Sequence, residues 1–353
     1  MREVRPYLRF FAMGWLVVAV AALTSCSPRQ GTQTAPARKV QITGAGSTFV
    51  YPIVSRWSSE YEKLTGVQVN YQSIGSGGGI QQFKEGTIDF GATDVAVSEE
   101  EEKTFTRSFV QFPVVAGTEA IVYNLPGITQ NLQLTPDVLT DIFLGKIKKW
   151  NDPRIARINP NVTLPDIDIV VVHRSDGSGT TYIFTDYLST VSPEWAQKVG
   201  RGKSVSWPVG VGAKGNEGVT GQVKQLPGSI GYVELNYARQ NNLTFAAIQN
   251  AAGKFVLPSQ QTGKAATRAV VERLVQDVRS SAVNMPGEDS YPITGFVYVL
   301  LDKQPKDTAK AAELKKFFEW VLKDGQKMAA ELDYVPLADE VVQMSLQKLA
   351  EVP

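Results

Sequence analysis

Short hydrophobic runs and stretches of helical periodicity follow one another along this chain. Residues 39–43, 67–71 and 88–91 alternate between apolar and polar positions, as strands do, and residues 167–172 form an apolar run that is typical of a buried parallel strand. After the first run, apolar residues recur every three or four positions, as on one face of a helix: Ile53, Val54, Trp57, Tyr61 and Leu64. Repeated strand–helix units predict an α/β fold with mainly parallel sheets and helices on both faces.

Extended segments later in the chain predict two lobes joined by two crossings. Residues 112–116 and 120–124 form two extended runs that lead out of the first lobe, and residues 291–301 lead back into it. The predicted boundaries are lobe I at residues 39–115 and 291–353, and lobe II at residues 116–290. Four further segments have clear local patterns: a helix at 136–143, a strand at 230–235, a loop or hairpin at 251–264, and helix from Lys306 onward.

The N-terminal residues have the pattern of a signal peptide. Three arginines precede an apolar run at residues 10–22, which is too short to span a bilayer comfortably. Small residues then lead to Cys26, as at the cleavage site of bacterial lipoproteins. We predict that residues 1–25 are removed, that Cys26 carries a lipid, and that residues 26–38 form a flexible tether. A plain signal peptide followed by an unmodified cysteine is the alternative.

The composition excludes several classes of function. The chain has 353 residues, 43% hydrophobic and 20% charged, which is typical of a globular protein of about two domains. Its net charge is +1, and loss of three arginines and Glu3 with the signal peptide changes it to −1. Without a basic patch, nucleic acid is not expected as a partner. One cysteine and one histidine exclude an internal disulfide and argue against a His/Cys metal site, so we predict no metal and no cofactor.

One junction has the chemistry of an anion site. Arg174 follows the strand predicted at residues 167–172, and Ser178, Gly179 and Thr180 open the helical stretch that comes next. Ligands of open α/β sheets bind at the carboxyl ends of strands, and a helix start offers unpaired backbone N–H groups. The arginine adds a planar fork that matches an oxyanion. The alternative is an ordinary strand–helix turn with a helix cap and an exposed arginine.

Two further junctions have the same character. Residues 46–49 and 76–79 are strand-to-helix turns rich in glycine, serine and threonine. Together the three helix starts could surround a small tetrahedral anion with N–H and O–H donors. Capping alone would also explain each junction separately.

Asp94 follows the third predicted strand and would repel an anion. The repulsion is avoided if the ligand carries a proton that the carboxylate can accept. Protonated phosphate meets this condition, and fully ionised sulfate does not. A helix cap or a surface carboxylate remains the alternative for Asp94.

Four blocks of sequence together resemble the phosphate-binding lipoproteins and periplasmic proteins that feed the bacterial phosphate ABC transporter. They are residues 42–49, 71–79, 89–94 and 174–180, and the likeness runs from about residue 40 to about residue 340. The resemblance implies a two-lobed periplasmic-binding-protein fold of type II that closes about a two-crossing hinge. It also implies a monomeric, extracytoplasmic receptor, lipid-anchored to the cell membrane, that delivers inorganic phosphate to permease subunits and is not an enzyme.

The resemblance also assigns roles to individual residues. Those implied to contact phosphate are Thr48, Phe49, Ser76, Asp94, Arg174, Ser178, Gly179 and Thr180. Those implied to support them are Ser47, Gly77 and Asp176. Asp94 is implied to accept the proton of phosphate, and Asp176 to orient Arg174. Ser47 and Gly77 stand where the family commonly has alanine and serine.

Other interpretations explain less of the chain. Residues 210–215 match G-x-G-x-x-G, but Pro208 spoils the strand that a dinucleotide site needs, so a glycine-rich loop is predicted. A Ser-His-Asp hydrolase would have to use His173, and no G-x-S-x-G motif accompanies it. A purely structural lipoprotein leaves the three junctions unexplained. A receptor for another tetrahedral oxyanion, such as sulfate, is the main alternative, and Arg174 together with Asp94 separates the two.

Overall fold

The structure is a computed structural model that describes residues 40–353. The predicted signal peptide, the predicted lipid on Cys26 and the predicted tether at residues 26–38 lie outside the described residues. Within residues 40–353, no helix combines the length and the apolar character needed to cross a membrane.

Strands and helices alternate through the described part of the chain. The strands are β1 (Gln41–Gly46), β2 (Gln68–Ser73), β3 (Phe90–Thr93), β4 (Phe109–Tyr123), β5 (Gln133–Leu134), β6 (Val170–Arg174), β7 (Val211–Ala213), β8 (Ser229–Glu234), β9 (Thr244–Phe245), β10 (Ala247–Gln249), β11 (Phe255–Val256) and β12 (Thr294–Asp302). The helices are α1 (Tyr51–Thr65), α2 (Ser76–Glu85), α3 (Glu99–Glu102), α4 (Pro136–Phe143), α5 (Pro153–Ile158), α6 (Gly179–Val191), α7 (Pro193–Lys198), α8 (Gly215–Gln225), α9 (Leu235–Gln240), α10 (Gln260–Arg268), α11 (Val271–Gln276), α12 (Thr308–Trp320), α13 (Gln326–Glu331) and α14 (Asp339–Ala350).

Most strands join one mixed sheet that has two parallel halves. Its order is β2-β1-β3-β12-β4-β8-β6-β7, and β9 also pairs with β4. In the first half β2, β1 and β3 run parallel, and in the second half β8, β6 and β7 run parallel. β12 and β4 lie antiparallel between the two halves. This arrangement confirms the predicted α/β class, although antiparallel pairings through β12, β4 and β9 make the sheet as a whole mixed and not mainly parallel.

β4 passes from the first half of the sheet to the second without a break. Residues 109–118 pair with β12, and residues 119–123 pair with β8. The two extended runs predicted at residues 112–116 and 120–124 both fall almost entirely within this strand, which also includes the polar Thr118 and Glu119 between them. The Glu119 N–H donates to the carbonyl of Ile293 over 2.9 Å, so backbone pairing carries the strand through the crossing. The predicted lobe boundaries near this crossing stay a prediction.

α1 shows how far apolar spacing predicts packing. Four of its five predicted core residues are buried: Ile53, Val54, Trp57 and Tyr61. The fifth, Leu64, is 66% exposed, so its predicted place in the core is wrong. Leu64 lies in the last turn, shortly before Gly66 ends the helix in a left-handed conformation with a φ of 75°. Apolar spacing identifies which face of a helix packs against the core, but it does not show where along the helix this packing ends.

The strand predicted at residues 167–172 is displaced toward the site. It begins at Val170 and continues through Arg174. Residues 167–169 bond instead to residues 148–150, through the Trp150 N–H to the carbonyl of residue 167 and the N–H of residue 169 to that of residue 148, each at most 3.0 Å. Arg174 is therefore the last residue of a strand, where backbone pairing fixes its position.

Two other segment predictions need correction, whereas the helix predicted at residues 136–143 is confirmed. Residues 251–264 contain β11 and the start of α10, which Ser259 caps, and so form more than a loop or hairpin. The predicted C-terminal helix is interrupted between α13 and α14, because Val335 there pairs with Ala116 of β4. The first segment does include a hairpin, since β11 pairs with the neighbouring β10. Only the second correction arises from pairing with a distant strand, which local periodicity does not report.

Candidate functional site

The predicted site residues come together at the carboxyl ends of strands from both halves of the sheet. β1 leads through residues 47–49 toward α1, β2 leads to α2 at Ser76, and Asp94 follows β3. In the second half, β6 ends at Arg174 and leads to α6 at Gly179. All of the predicted contact residues are buried: Thr48, Phe49, Ser76, Asp94, Arg174, Ser178, Gly179 and Thr180. That they bind an anion stays a prediction.

Arg174 is held in one orientation by Asp176 and Thr180. Its Nε and Nη2 atoms donate to the two carboxylate oxygens of Asp176 over 2.7 and 2.6 Å, and Nη1 donates to Thr180 Oγ1 over 3.2 Å. The Arg174 side chain is only 1% exposed. Burial by itself would lower the pKa of Arg174, but the hydrogen bonds and charge of Asp176 raise it, so the guanidinium stays positive. This geometry fits the orienting role implied for Asp176.

Asp176 joins this arginine to a further helix start. The Gly215 N–H at the beginning of α8 donates to Asp176 Oδ1 over 3.1 Å. Burial raises the pKa of Asp176, but Arg174 and the Gly215 N–H lower it more, and the net result lies below the ordinary value. Gly75 leaves room for this carboxylate, since a Cβ there would lie 2.4 Å from Asp176 Oδ2. Asp176 is therefore a charged, ordered support for Arg174.

Asp94 lies between hydroxyl groups from both halves of the sheet. The Ser47 hydroxyl donates to Asp94 Oδ1, and the hydroxyls of Ser76 and Thr180 lie 3.5 Å from Oδ2. Burial raises the pKa of Asp94 to about 6, although the Ser47 hydroxyl, the charge of Arg174 and the other hydroxyls act to lower it. Asp94 is therefore ionised at neutral pH, and its carboxylate can accept a hydrogen bond from a protonated group of a ligand.

A small cavity adjoins Asp94. Its volume is about 150 Å³, and its lining includes Tyr182, Arg201, Arg279 and Tyr298. A water molecule takes up about 30 Å³ in the liquid, so the cavity has room for a small ion and a few waters. Within residues 40–353, no group of three or more His, Cys, Asp or Glu side chains is placed to hold a metal ion.

Glycines allow the two halves to approach each other at this site. A Cβ on Gly179 would lie 2.5 Å from Asp94 Cβ and 2.6 Å from Ser76 Oγ, so only glycine fits here. The Gly77 N–H donates to the carbonyl of Gly177 over 2.9 Å. A Cβ on Gly77 would come within 3.1 Å of Gly177 Cα. The absence of side chains at these positions lets the starts of α2 and α6 meet directly.

Asn216 belongs to the site, and sequence analysis missed it. Its backbone N–H and its Nδ2 both donate to Thr48 Oγ1, over 3.1 and 2.8 Å, and Nδ2 also donates to Thr180 Oγ1 over 3.2 Å. Its Oδ1 accepts from the Glu234 N–H over 2.9 Å. Asn216 thus links hydroxyls from both halves at a fourth helix start. The signal in the sequence was Gly215 followed by a polar residue, but β7 before it is too short to show a strand pattern.

The stretch 210–215 forms a strand and a helix start, and the glycine-rich loop predicted there is wrong. Gly210 precedes β7, Gly212 lies within it, and Gly215 opens α8. In a dinucleotide-binding fingerprint the glycines form the turn that follows the strand. Here they are spread along the strand itself, so the motif match has no structural counterpart.

His173 is not placed as a catalytic base. Its ring stacks on Trp207 with the ring centroids 4.9 Å apart and an angle of 13° between the planes. Its Nδ1 lies 3.0 Å from the carbonyl oxygen of Arg174. Burial lowers the pKa of His173, which the Arg174 carbonyl partly offsets. These contacts give the histidine a packing role, and they provide no serine–histidine pair.

Ion pairs connect the two halves beside the site. Lys203 Nζ lies 2.8 and 2.7 Å from the two carboxylate oxygens of Glu101 in α3, and Arg279 Nη2 lies 2.9 Å from Glu102 Oε1. The carbonyl of Lys203 also accepts the Ser178 N–H over 2.8 Å, at the start of α6. The Lys203–Glu101 pair therefore links α3 of the first half to the helix start that neighbours Arg174.

Replacing Glu101 with glutamine should speed the release of a bound anion about two- to fivefold, because a partly exposed ion pair contributes about 0.5–1 kcal/mol. Stopped-flow measurement of the dissociation rate would test this expectation. Glu100→Gln on the same helix is the matched control, since it removes an exposed carboxylate of α3 and leaves the Lys203–Glu101 and Arg279–Glu102 pairs in place. A dissociation rate unchanged by Glu101→Gln would contradict the linking role of this pair.

Comparison with known proteins adds relatives of nearly full length. Residues 31–324 match the family model described as the PBP superfamily domain. The phosphate-binding protein PstS of Xylella fastidiosa is 49% identical over 320 residues, which cover 90% of this chain and 86% of the relative. The phosphate-binding protein PstS of Pasteurella multocida is 50% identical over 303 residues, which cover 86% of this chain and 88% of the relative.

A solved structure supports the fold. It is a high-affinity periplasmic phosphate-binding protein with phosphate bound, and it superposes with a TM-score of 0.70 at 20% identity. The superposition covers 87% of this chain and 93% of that protein. At this identity the likeness concerns the fold alone, and it confirms the predicted periplasmic-binding-protein fold. The matched family model and the closely similar sequences together show that this chain belongs to the PBP superfamily, and within it to the PstS family of phosphate-binding proteins.

Proposed function

We propose that this chain binds one inorganic phosphate ion between its two lobes and delivers it to the permease of a phosphate ABC transporter. The observation that carries the proposal is the arrangement of Asp94 and Arg174. One buried carboxylate and one buried guanidinium are joined by the hydroxyl of Thr180, which lies within 3.5 Å of both side chains. Such a pair suits an anion that brings both negative charge and a proton.

The helix starts supply the remaining donors in this proposal. Backbone N–H groups at the beginnings of α1, α2 and α6 form the positive ends of these helices, where anions are favoured. The hydroxyls of Thr48, Ser76, Ser178 and Thr180 add donors that are already ordered by burial. Each hydrogen bond to a charged group contributes about 1.5–3 kcal/mol, so several give micromolar or tighter binding after ordering costs. No covalent step is involved, and the chain acts as a receptor and not as an enzyme.

Asp94 provides selectivity for phosphate. The monoprotonated dianion can donate its P–OH to the ionised carboxylate. Sulfate has no proton at neutral pH, so it would place an oxygen against an unpaired, like-charged acceptor. Asn216 extends the proposed site, because its Nδ2 donates to the hydroxyls of Thr48 and Thr180, which belong to opposite halves of the sheet.

The placement of the receptor follows from the N-terminal pattern and the PstS relatives. We infer an extracytoplasmic location, in the periplasm or at the cell surface, with a lipid on Cys26 and a tether at residues 26–38. Lobe I comprises residues 39–115 and 291–353, and lobe II comprises residues 116–290. The uninterrupted passage of β4 supports a crossing close to residue 118. All proposed phosphate contacts come from one chain, which is consistent with a monomer.

Calorimetric titration of the purified protein with phosphate and with sulfate at neutral pH tests this function. We expect one-to-one binding of phosphate and no binding heat with sulfate. Equal binding of both anions would remove the selectivity assigned to Asp94. The protein should first be unfolded and refolded to release any ligand carried through purification. If neither anion then gives a binding heat, the proposed function as a phosphate receptor is refuted.

A further inference from the structure

Two glutamates are buried side by side where β4 crosses between the halves of the sheet. Glu119 of β4 and Glu234 of β8 are direct partners in the antiparallel register. Side chains of direct partners lie on the same face, with Cβ atoms about 5 Å apart. Both residues are 0% exposed. Neither has a part in the contacts proposed for phosphate.

The pair lacks the partners that a buried charge requires. Among the described residues, neither carboxyl oxygen of Glu119 has a hydrogen-bond partner, and neither does Oε1 of Glu234. Oε2 of Glu234 accepts from the Asn236 N–H over 3.0 Å and lies 3.4 Å from the Tyr334 hydroxyl. An ionised carboxylate without partners is very unfavourable in a protein interior, whereas a neutral carboxyl group costs far less.

The groups that face Glu119 favour its neutral form. Burial raises the pKa of Glu119 well above its ordinary value, the charges of Asp94 and Glu234 raise it further, and Arg174 offsets this only in part. The hydroxyl of Tyr232 on β8 and that of Tyr291 before β12 lie in the same region, and burial raises their pKa values as well. Both tyrosines therefore stay neutral and add no charge.

The groups that face Glu234 likewise favour the neutral form of its carboxyl group. Burial raises the pKa of Glu234 well above its ordinary value, the Asn236 N–H and the Tyr334 hydroxyl lower it in part, and the charge of Asp333 raises it. Tyr237 on α9 and Tyr334 are the other titratable neighbours, and burial together with nearby carboxyl groups raises the pKa of both.

A bound phosphate dianion would strengthen the preference of Glu119 and Glu234 for their neutral forms. Arg174 already pairs with Asp176 and faces Asp94, so a dianion leaves the site with net negative charge. Like charges repel one another more strongly in a protein interior than in water, because the effective dielectric constant is lower there. Ionised carboxylates at Glu119 and Glu234 would add their repulsion of the dianion to that of Asp94 and Asp176. Tight binding therefore needs both groups to be neutral.

We propose that Glu119 and Glu234 both hold protons when phosphate is bound, so that binding is coupled to protonation of this pair. The inference rests on the phosphate binding proposed above. In the free protein no phosphate dianion opposes ionisation of the pair, so alkaline pH favours it there more than in the complex. Phosphate must then bind together with protons, and its affinity falls as the pH rises.

Phosphate titrations of wild-type protein and of the Glu119→Gln/Glu234→Gln variant at about pH 8 and about pH 10 test the inference. Phosphate remains chiefly a dianion over this range, and Asp94, with a pKa of about 6, stays ionised. One coupled proton changes the affinity by up to tenfold per pH unit. We expect the wild-type Kd to rise about tenfold or more and the Kd of the variant to change less than about threefold. Binding heats in two buffers of different ionisation enthalpy should report proton uptake by wild-type protein only.

The control is Glu272→Gln, which removes an exposed carboxylate from α11 and should leave the wild-type pH profile intact. If the double variant does not fold, Glu119→Gln alone should reduce the pH dependence. An equal rise of Kd in wild-type and variant protein, or a wild-type Kd independent of pH, would overturn the inference. So would loss of phosphate binding at about pH 8 by a natively folded variant. Absence of phosphate binding by wild-type protein at neutral pH would instead refute the proposed function.

Discussion

Arg174→Ala should weaken phosphate binding by about 3–5 kcal/mol, which is a rise in Kd on the order of a hundredfold to several thousandfold. The substitution removes the guanidinium whose side chain is 1% exposed. It also leaves Asp176 and Asp94 buried without that compensating charge, so both carboxylates then repel the dianion. Calorimetric titration with phosphate measures the change directly.

Two further variants show whether the effect is specific to Arg174. Arg154→Ala removes an arginine that is 40% exposed and pairs with Asp141 and Asp152, away from the site, and it should leave Kd nearly unchanged. Arg174→Lys keeps the charge but loses the bidentate contact with Asp176, so its Kd should fall between those of wild type and Arg174→Ala. A Kd for Arg174→Ala within about tenfold of wild type would remove Arg174 from the phosphate site.

Asp94→Asn should narrow the preference for phosphate over sulfate by about 2–3 kcal/mol, on the order of a hundredfold. The amide can donate to a sulfate oxygen, whereas the carboxylate repels it. Phosphate loses its charge-assisted hydrogen bond in the same variant. Competition of sulfate against bound phosphate measures the ratio in wild-type and variant protein.

The pKa of Asp94 offers an independent check on this role. Because burial raises that pKa to about 6, the carboxyl group is protonated at lower pH and then resembles the amide. Wild-type discrimination should therefore decline below about pH 6, and that of Asp94→Asn should stay level. Asp89→Asn is the control, since Asp89 bonds to Lys310 and to the Thr43 N–H on another side of β3. Undiminished discrimination in Asp94→Asn would assign selectivity to other groups.

Much of the site could be predicted because its signals are local. The turns at Ser76 and at Ser178 each combine a short strand, a glycine-rich junction and a helix start within about ten residues. Asn216 has no such signal, because β7 comprises three residues that are recognisable as a strand only through pairing with β6. Strand pairing with distant segments cannot be read from periodicity, and Asn216 was missed for that reason.

The sequence predicted extended runs at the crossing, but not that a single strand continues through it, for the same physical reason. The continuity of β4 depends on backbone pairing of Glu119 with Ile293 and Glu234, which lie more than a hundred residues away in the chain. Polar residues in the middle of an apolar pattern normally mark a break, and here they mark a buried carboxyl pair. Local conflict between pattern and structure thus coincides with the part of the fold that has unusual chemistry.

The antiparallel ribbon of β4 and β12 determines which relative motions of the two halves are mechanically easy. A hydrogen-bonded ribbon resists stretching and sliding, because both would break several backbone bonds together, but it twists with little resistance. Rotation of the two halves about the ribbon would therefore conserve strand register, and Lys203 would meet Glu101 again whenever the halves came together. The ribbon would thus leave ligand binding to set the angle between the halves, while backbone pairing keeps them aligned along the strands.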